Sequence, residues 1–416
     1  MRLLFLTNFY PPASRGGYEE WCAEVAEWLH GAGHHVRVLT SRHGAQTLAA
    51  PDPAWVARRL HLEMELDSLR NAVDFFTQRR AKEAENLKLL RTQILEQQPE
   101  AIVVWGMWNL PRALPALAET MLPNRTVYYM GDYWPTLPNQ FENYWKAAPR
   151  NRWTGLPKRL LAPFAHRQLQ HAQRAPLRLA RVLFPTRFMQ EEFARLGIHP
   201  QHASVIPGAI DVHRYPHSHA DHNPHEETEP LRLLYVGRLT HDKGVHLAIE
   251  ALGQIRRARP HMALQLTIVG QGEAGYQEKL RALTQKLAVA EQVDFVGAQP
   301  KEALPQFYQQ AHIFLFTSLW AEPFGRVLIE AMASGAVVVG AATGGAAEIM
   351  QPEQNALTFA PGDVNGLVAQ ILRLHCDQNL RTRLRQTARR QATEKFDVPQ
   401  MAAGIEHYLK EITAAA

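Results

Sequence analysis

Short apolar runs alternate with longer stretches of helical periodicity along this chain, and the alternation is played through twice. Leu3–Thr7 has the length of a buried strand, residues 18–32 carry apolar positions at helical spacing, Gly33 ends them, and His35–Thr40 follows as a second strand. That is a βαβ opening. From Asp52 to Gln98 the pattern is mostly helical and charged. Ala101–Trp105 and Thr126–Met130 then read as buried strands, residues 181–188 as a strand running into a helix start, and Ala203–Asp211 as the last strand of a first domain. A second series starts at Leu231–Gly237 and continues with a helix to Arg259 and strands at Leu264–Gly270, Val293–Gly297, His312–Phe316 and Ala336–Gly340. Continuous apolar strands separated by amphipathic helices predict parallel sheets covered on both faces. Residues 212–230, rich in His, Pro, Asp and Glu, look like the linker between the two series.

The segment Thr317–Gly335 is the most informative. It places a polar loop and a helix directly after the strand His312–Phe316. Pro323 suits a first turn, Leu328, Ile329 and Met332 supply an apolar face, and Gly335 suits a C-terminal cap, so the helix is predicted from near Pro323 to near Ser334. Its start then lies at the carboxyl end of a strand, where the N–H groups of Phe324, Gly325 and Arg326 suit an anion such as a diphosphate. Glu322 and Glu330 flank that start with seven residues between them. A carboxylate beside phosphates is unfavourable, so both are expected to accept hydrogen bonds from hydroxyls, sugar on one side and ribose on the other. Two solvated glutamates would fit the spacing alone equally well. Arg238 and Lys243 come off the end of the strand Leu231–Gly237, where two cations can neutralise a leaving diphosphate; surface salt bridges are the plain alternative. In the first series Gly16 and Gly17 precede a helix and let backbone approach a ligand, although the spacing is not that of a dinucleotide loop and a plain turn reads the same way. Asp132 ends a strand and is followed by Tyr133 and Trp134, a place from which it can touch a sugar or simply open a turn.

With Glu322 and Glu330 in an E-x7-E element, Arg238 and Lys243 at G-R-x4-K-G spacing, and Thr343–Glu348 containing G-G-x-x-E, the sequence resembles the retaining glycosyltransferases of the GT-B fold, family 4 (glycosyl transferases group 1). The resemblance covers nearly the whole chain and is most specific from Gly237 to Glu348. It implies an α/β protein with two Rossmann-like domains facing each other across a cleft: an acceptor-side domain over 1–211, a linker over 212–230, a nucleotide-sugar-binding domain over 231–395, and a C-terminal helix over 396–416 packing back on the first domain. It further implies hexosyl transfer from a nucleotide-diphosphate sugar, UDP- or GDP-linked, to a saccharide, lipid-linked or small-molecule hydroxyl. By that resemblance Glu322 contacts the donor sugar, Glu330 the ribose, and Arg238 and Lys243 the diphosphate. Gly237, Gly270 and Gly272 lie near the nucleotide, Gly16 and Gly17 form the loop over the phosphates and acceptor, and Asp132 belongs to a His-Asp pair. The chain departs from the pattern at Gly131, which stands where that His is found, and at Pro207–Asp211, which lacks the usual Asn. A sugar-nucleotide epimerase on the same fold, or a non-catalytic nucleotide-sugar binder, would share the donor motifs.

Composition narrows the setting. A chain of 416 residues with 46% hydrophobic residues is long for one core and implies two domains. The net charge of +5, from 45 basic and 40 acidic residues, is too small to point to nucleic acid. Cys22 and Cys376 are too few for a disulfide framework, and both sit in helical patterns where a buried thiol is the ordinary reading. No apolar run reaches the length of a signal-peptide core or a membrane span, which implies a cytoplasmic protein. The histidines His213, His217, His219, His222 and His225 fall in the linker and read as solvated rather than as zinc ligands. No cofactor or metal is expected, since cations and a helix N-terminus oppose the diphosphate charge. Charge is nevertheless uneven: no acid occurs between Glu142 and Glu191, while nine Lys and Arg from Lys146 to Arg181 recur among Trp145, Trp153, Leu160, Leu161 and Phe164. Residues 145–181 therefore suit an anionic membrane surface or an anionic lipid-linked acceptor, or form a solvated face.

Overall fold

The structure, a computed structural model, describes residues 1–14, 16–48, 50–66, 70–148, 152–171, 175–216 and 230–414. It divides into two units. The first comprises Met1–Pro185, Met189–Ile206 and Ala402–Ala416, and the second Thr186–Phe188 and Pro207–Met401. Each is built on one parallel sheet.

In the first unit the strands are β1 (Arg2–Leu6), β2 (His35–Ser41), β3 (Val56–Leu60), β4 (Ala101–Val104), β5 (Thr126–Tyr129), β6 (Arg181–Phe184) and β7 (His202–Val205). They lie in the order β3-β2-β1-β4-β5-β6-β7, every neighbouring pair parallel. The order reverses between β1 and β4, where Leu3 stands opposite Ala101 and Leu6 opposite Val104. Leu4, Phe5, Leu6, Ile102, Val103 and Val127 are fully buried, which is why these strands read as unbroken apolar runs.

The second unit repeats the plan with β8 (Leu231–Val236), β9 (Leu264–Val269), β10 (Val293–Gly297), β11 (Ile313–Phe316), β12 (Val337–Ala341) and β13 (Ala356–Phe359), in the order β10-β9-β8-β11-β12-β13. Here the reversal falls between β8 and β11, with Ile313 opposite Leu233. The helix Val245–Ala258 turns Ala248, Ile249, Leu252 and Ile255 into a core shared with Leu233 and Leu266. Each of these Leu and Ile side chains contributes about 1.5 to 3 kcal/mol by leaving water.

Several expectations need correction. The segment after Asp52 is not helical throughout: β3 runs through it, and among the described residues its helices are Asn71–Thr77 and Arg79–Gln97. Arg58 disguises that strand, since its charged side chain is folded inward onto Asp52, Nε to Oδ2 2.7 Å. β13, Ala356–Phe359, is a further strand beyond those the apolar pattern marks. β7 ends at Val205 instead of Asp211; Pro207 has no N–H to donate, and Ile210 makes only an isolated bridge to Asp397. Cys22 is buried, but Cys376 is exposed at the end of a helix, Val364–Cys376, whose buried face is Leu367, Ile371 and Leu374. Of the expected linker, residues 217–229 lie outside the described residues, and His217, His219, His222 and His225 with them. The last helix, Val398–Ala414, carries Glu406, which lies 2.7 Å from the His34 ring in the first unit. No helix among the described residues is long and apolar enough to cross a membrane.

Candidate active site

In the second unit the loops that leave β8 and β11 are tied together at the carboxyl ends of the two strands, the place where parallel sheets of this kind gather ligands. The Asp242 carbonyl accepts from the N–H groups of Leu319 (2.8 Å) and Trp320 (3.2 Å), and the Thr317 hydroxyl donates to the Lys243 carbonyl at 3.2 Å. That stitching brings Lys243 onto Glu322, while Arg326 and Glu330 pair with each other on the helix that follows. Lys243 Nζ pairs with Glu322 Oε1 and lies 4.7 Å from the centroid of the Trp320 ring. Ser318 Oγ donates to the same Glu322 oxygen at 3.1 Å. Arg326 Nε stands 3.4 Å from Glu330 Oε1, and the buried Tyr308 hydroxyl donates to Glu330 Oε2 at 2.9 Å. Burial and the Glu330 charge push that hydroxyl well above the usual tyrosine range. Arg238 is exposed, and its carbonyl accepts from Tyr235.

The helix at this site starts later than predicted. It runs Arg326–Ser334, because Gly325 at its N-cap takes φ +115°, a left-handed conformation that cannot belong to the helix. The N–H groups of Arg326 and Val327 therefore open the helix, and Phe324 is buried with its ring 6.1 Å from that of Phe396. The other glycines are held by close backbone approach. A Cβ on Gly270 would fall 1.8 Å from the Gly237 carbonyl oxygen, and one on Gly272 1.9 Å from that of Leu239, while one on Gly237 would meet only the Tyr235 hydroxyl at 3.2 Å. Glu348 faces backbone: its carboxylate accepts from the N–H groups of Arg187 (3.1 Å) and Phe188 (2.6 Å).

In the first unit Gly16 caps the helix Gly17–Gly31 in extended conformation, and a Cβ there would meet nothing nearer than Glu19 at 3.6 Å. Asp132 follows β5 and accepts from the Trp134 N–H at 3.2 Å. Burial drives its carboxyl up to about 7, with that hydrogen bond opposing and Glu19 adding to the rise. The space beside Gly131 is filled. A Cβ there would lie 2.6 Å from the ring of Tyr18, whose hydroxyl donates to the Tyr129 carbonyl. Tyr18 and Glu19 thus stand next to Asp132, and neither was singled out in the sequence. The Tyr directly after the Gly pair, in the first turn of the helix that follows β1, is the signal the sequence offers.

The basic segment divides unevenly. Trp145 is buried with its ring 5.6 Å from that of Phe75, so it anchors nothing outside. Lys158 donates to the Ala147 carbonyl at 2.7 Å and lies over the Tyr144 ring. Arg150, Arg174 and the side chains of Arg152 and Trp153 lie outside the described residues. On the helix Arg152–His171, Leu156, Leu160 and Phe164 are 66%, 65% and 67% exposed and spaced by four, beside exposed Arg159 and Arg167.

Two doubly wound parallel sheets, with polar loops gathered at the strand-order reversal of the second, define a GT-B fold. Residues 15–214 match the family described as Glycosyltransferase Family 4, and residues 218–391 match Glycosyl transferases group 1. The chain belongs to this glycosyltransferase family. It is 37% identical over 194 residues to the glycogen synthase of Mycobacterium tuberculosis, 47% of this chain and 45% of that protein. It is 28% identical over 208 residues to the mannosylfructose-phosphate synthase of Agrobacterium fabrum, 48% and 46% of the two chains. The matched stretches thus span about half the length of these curated relatives. Among solved structures, Anabaena HepE in complex with UDP-glucose superposes with a TM-score of 0.69 at 22% identity, covering 99% of this chain and 100% of that one. The sucrose-phosphate synthase of Thermosynechococcus elongatus gives 0.71 at 19% identity, with 100% of each chain covered.

Proposed function

We propose that the chain transfers a sugar from a nucleotide-diphosphate sugar to an acceptor hydroxyl with retention at the anomeric carbon. The observation that carries this reading is the pair of cation–carboxylate couples, Lys243 with Glu322 and Arg326 with Glu330, at the reversal point of the second sheet. An arriving diphosphate competes with Glu322 for Lys243. The displaced carboxylate is then free to accept from donor sugar hydroxyls, while Glu330, already oriented by Tyr308, accepts from the ribose. As the bond from the anomeric carbon to the phosphate oxygen breaks, negative charge grows on the diphosphate, and Arg238, Lys243 and the N–H groups of Arg326 and Val327 oppose it. The acceptor oxygen bonds to the anomeric carbon on the same face and gives its proton to the departing phosphate oxygen, which retains configuration. Asp132 orients the sugar. UDP-linked donors are favoured by the HepE neighbour, whose structures hold UDP and UDP-glucose. The cations and the helix start make a metal unnecessary, so excess EDTA should leave turnover unchanged; a loss restored by Mg2+ would overturn that part.

A panel of UDP-, GDP- and ADP-linked sugars, with product configuration read by proton NMR, tests the reading. An α product from an α donor is expected. An inverted product removes retention, epimer without acceptor makes the protein an epimerase, and saturable binding without turnover makes it a binder.

We also propose that the protein works on an anionic membrane surface, at the cytoplasmic face, through Leu156, Leu160 and Phe164 with Arg159 and Arg167 beside them. An apolar stripe with flanking cations suits partial insertion among acidic headgroups. Cosedimentation with phosphatidylglycerol vesicles should fall as salt is raised through about 0.15 M, where the Debye length is about 8 Å. Absence of binding at low salt would end this second reading.

A further inference from the structure

The connection from β1 to the helix Gly17–Gly31 leaves the first sheet at its strand-order reversal, and its sequence gives it little means of holding itself. Residues 9–14 include Pro11 and Pro12, which have no N–H to donate, so the carbonyls around them must find donors elsewhere. Side chains supply them. The Thr7 hydroxyl donates to the Phe9 carbonyl at 3.1 Å, and the Thr40 hydroxyl to that of Asn8 at 3.3 Å. The next two carbonyls are met from farther off. Arg58 lies on the edge strand β3, opposite Thr40 of β2, so that β2 stands between it and β1. Its Nη1 donates to the Tyr10 carbonyl at 2.9 Å and its Nη2 to the Pro11 carbonyl at 2.5 Å.

The guanidinium is fixed from behind as well. Asp52 accepts from Nε at 2.7 Å and from Nη2 at 3.1 Å, and the Arg58 side chain is only 3% exposed. An arginine is buried to this degree only when its charge and its donors are met, and here one planar group meets a carboxylate on one side and two successive carbonyls on the other. What the held turn delivers is the start of the helix. The Ser14 hydroxyl donates to Glu20, the Tyr18 ring fills the space beside Gly131, and the Glu19 charge adds to the rise of the Asp132 carboxyl.

We infer that Arg58, fixed by Asp52, is a positioning residue for sugar transfer: by holding the Tyr10 and Pro11 carbonyls it sets the turn that places Tyr18 and Glu19 against Asp132. As a positioning role this rests on the transfer reading above; as a clamp on the turn it does not. Arg58→Gln combined with Asp52→Asn removes the clamp without leaving a lone carboxylate. It should lower kcat about tenfold or more, because misplacing a group that orients substrate by about 1 Å can cost about 10²-fold. UDP affinity, measured by calorimetry, should stay within about twofold, since the Lys243 and Glu330 couples lie in the second unit. Amide exchange, followed by mass spectrometry, should speed up in the peptide that carries residues 9–14. Arg58→Lys keeps a cation but not the planar fork, and should recover part of kcat. Arg42→Ala loosens the same strand at another place, the Arg59 carbonyl that Arg42 Nε reaches at 3.0 Å, and should leave kcat within about twofold. Unchanged kcat or unchanged exchange in the folded double variant would overturn the inference, as would an equal loss of kcat in Arg42→Ala. A wild type that transfers no sugar would instead sink the transfer reading, and exchange would still decide whether Arg58 holds the turn.

Discussion

The two units meet the same problem, holding polar groups at the ends of a parallel sheet, in opposite ways. In the second unit the cations and carboxylates neutralise one another: Lys243 with Glu322, Arg326 with Glu330, Tyr308 completing the set. In the first, Asp132 and Glu63 are carboxyls whose burial raises them to about 7, and the Trp134 indole has no partner among the described residues. One side is a closed network that a charged ligand must open. The other holds carboxyls that burial pushes toward their neutral form, each accepting one backbone N–H.

The largest expected effect separates glycines that the two sites use differently. Gly270→Ala places a Cβ 1.8 Å from a backbone oxygen at φ +145°, where nothing flexible can give way, and should cost at least about 3 kcal/mol of folding stability. Gly16→Ala, in extended backbone with 3.6 Å of clearance, should cost almost none. Urea unfolding of both variants checks the contrast; equal losses would mean that the second unit's loops are not jammed as described.

Next comes Lys243→Ala, which should lower turnover about 10²- to 10³-fold, because it removes a cation aimed at charge that grows in the transition state. It also leaves Glu322, whose side chain is only 13% exposed, without its ion-pair partner. Adding Glu322→Gln should therefore recover stability without recovering turnover. Recovery of both would reduce Lys243 to a structural partner of Glu322.

The same contrast explains what was legible in the sequence. The second unit's site is read off locally: Gly237, Arg238 and Lys243 are near one another in the chain, and Glu322 to Glu330 span one loop and one helix, so spacing alone reports them. The start of that helix was misplaced because Pro323 is a good first-turn residue, and only the left-handed Gly325 shows that the turn begins later. The strand β3 is masked by its charged residues Arg58 and Arg59, and β13 by its length of four residues with Thr358 interrupting the apolar run. In the first unit Arg58 meets Tyr10 and Pro11 by topology, from a strand that is not β1's neighbour, and no local pattern announces the contact. Tyr18 filling the space beside Gly131 is likewise a tertiary fact, although the absence of a side chain at 131 was visible.

Asp132→Asn sharpens the comparison through pH. The folded carboxyl stands near 7 against 3.8 for the ordinary group, so the charged form is penalised in the folded state. The relative stability this confers is fully present below about pH 4 and is lost as pH rises through about 7. Asparagine still accepts from the Trp134 N–H but never charges, so the variant should gain on the order of 2 kcal/mol over wild type at pH 8, a part of the full shift because Asp132 keeps some contact with solvent, and nothing at pH 4. Thermal melts at the two pH values measure the difference. A gain of the same size at both would mean that packing and not ionisation sets the effect.

The smallest effect probes the filled space at Gly131. Alanine there would meet the Tyr18 ring at 2.6 Å, and that ring is restrained by its hydroxyl on the Tyr129 carbonyl and by its backbone carbonyl, which accepts from the Trp105 indole at 2.8 Å. A side chain can yield where backbone cannot, so the cost should be about 1 to 2 kcal/mol, well below that of Gly270→Ala. Tyr18→Leu removes the ring and its hydrogen bond, and in that background Gly131→Ala should cost close to nothing. The double-mutant cycle therefore predicts a coupling of about 1 kcal/mol or more between positions 18 and 131, measured by chemical denaturation. Additive losses would mean that Tyr18 does not occupy this space in solution, and that a side chain at 131 is excluded for some other reason.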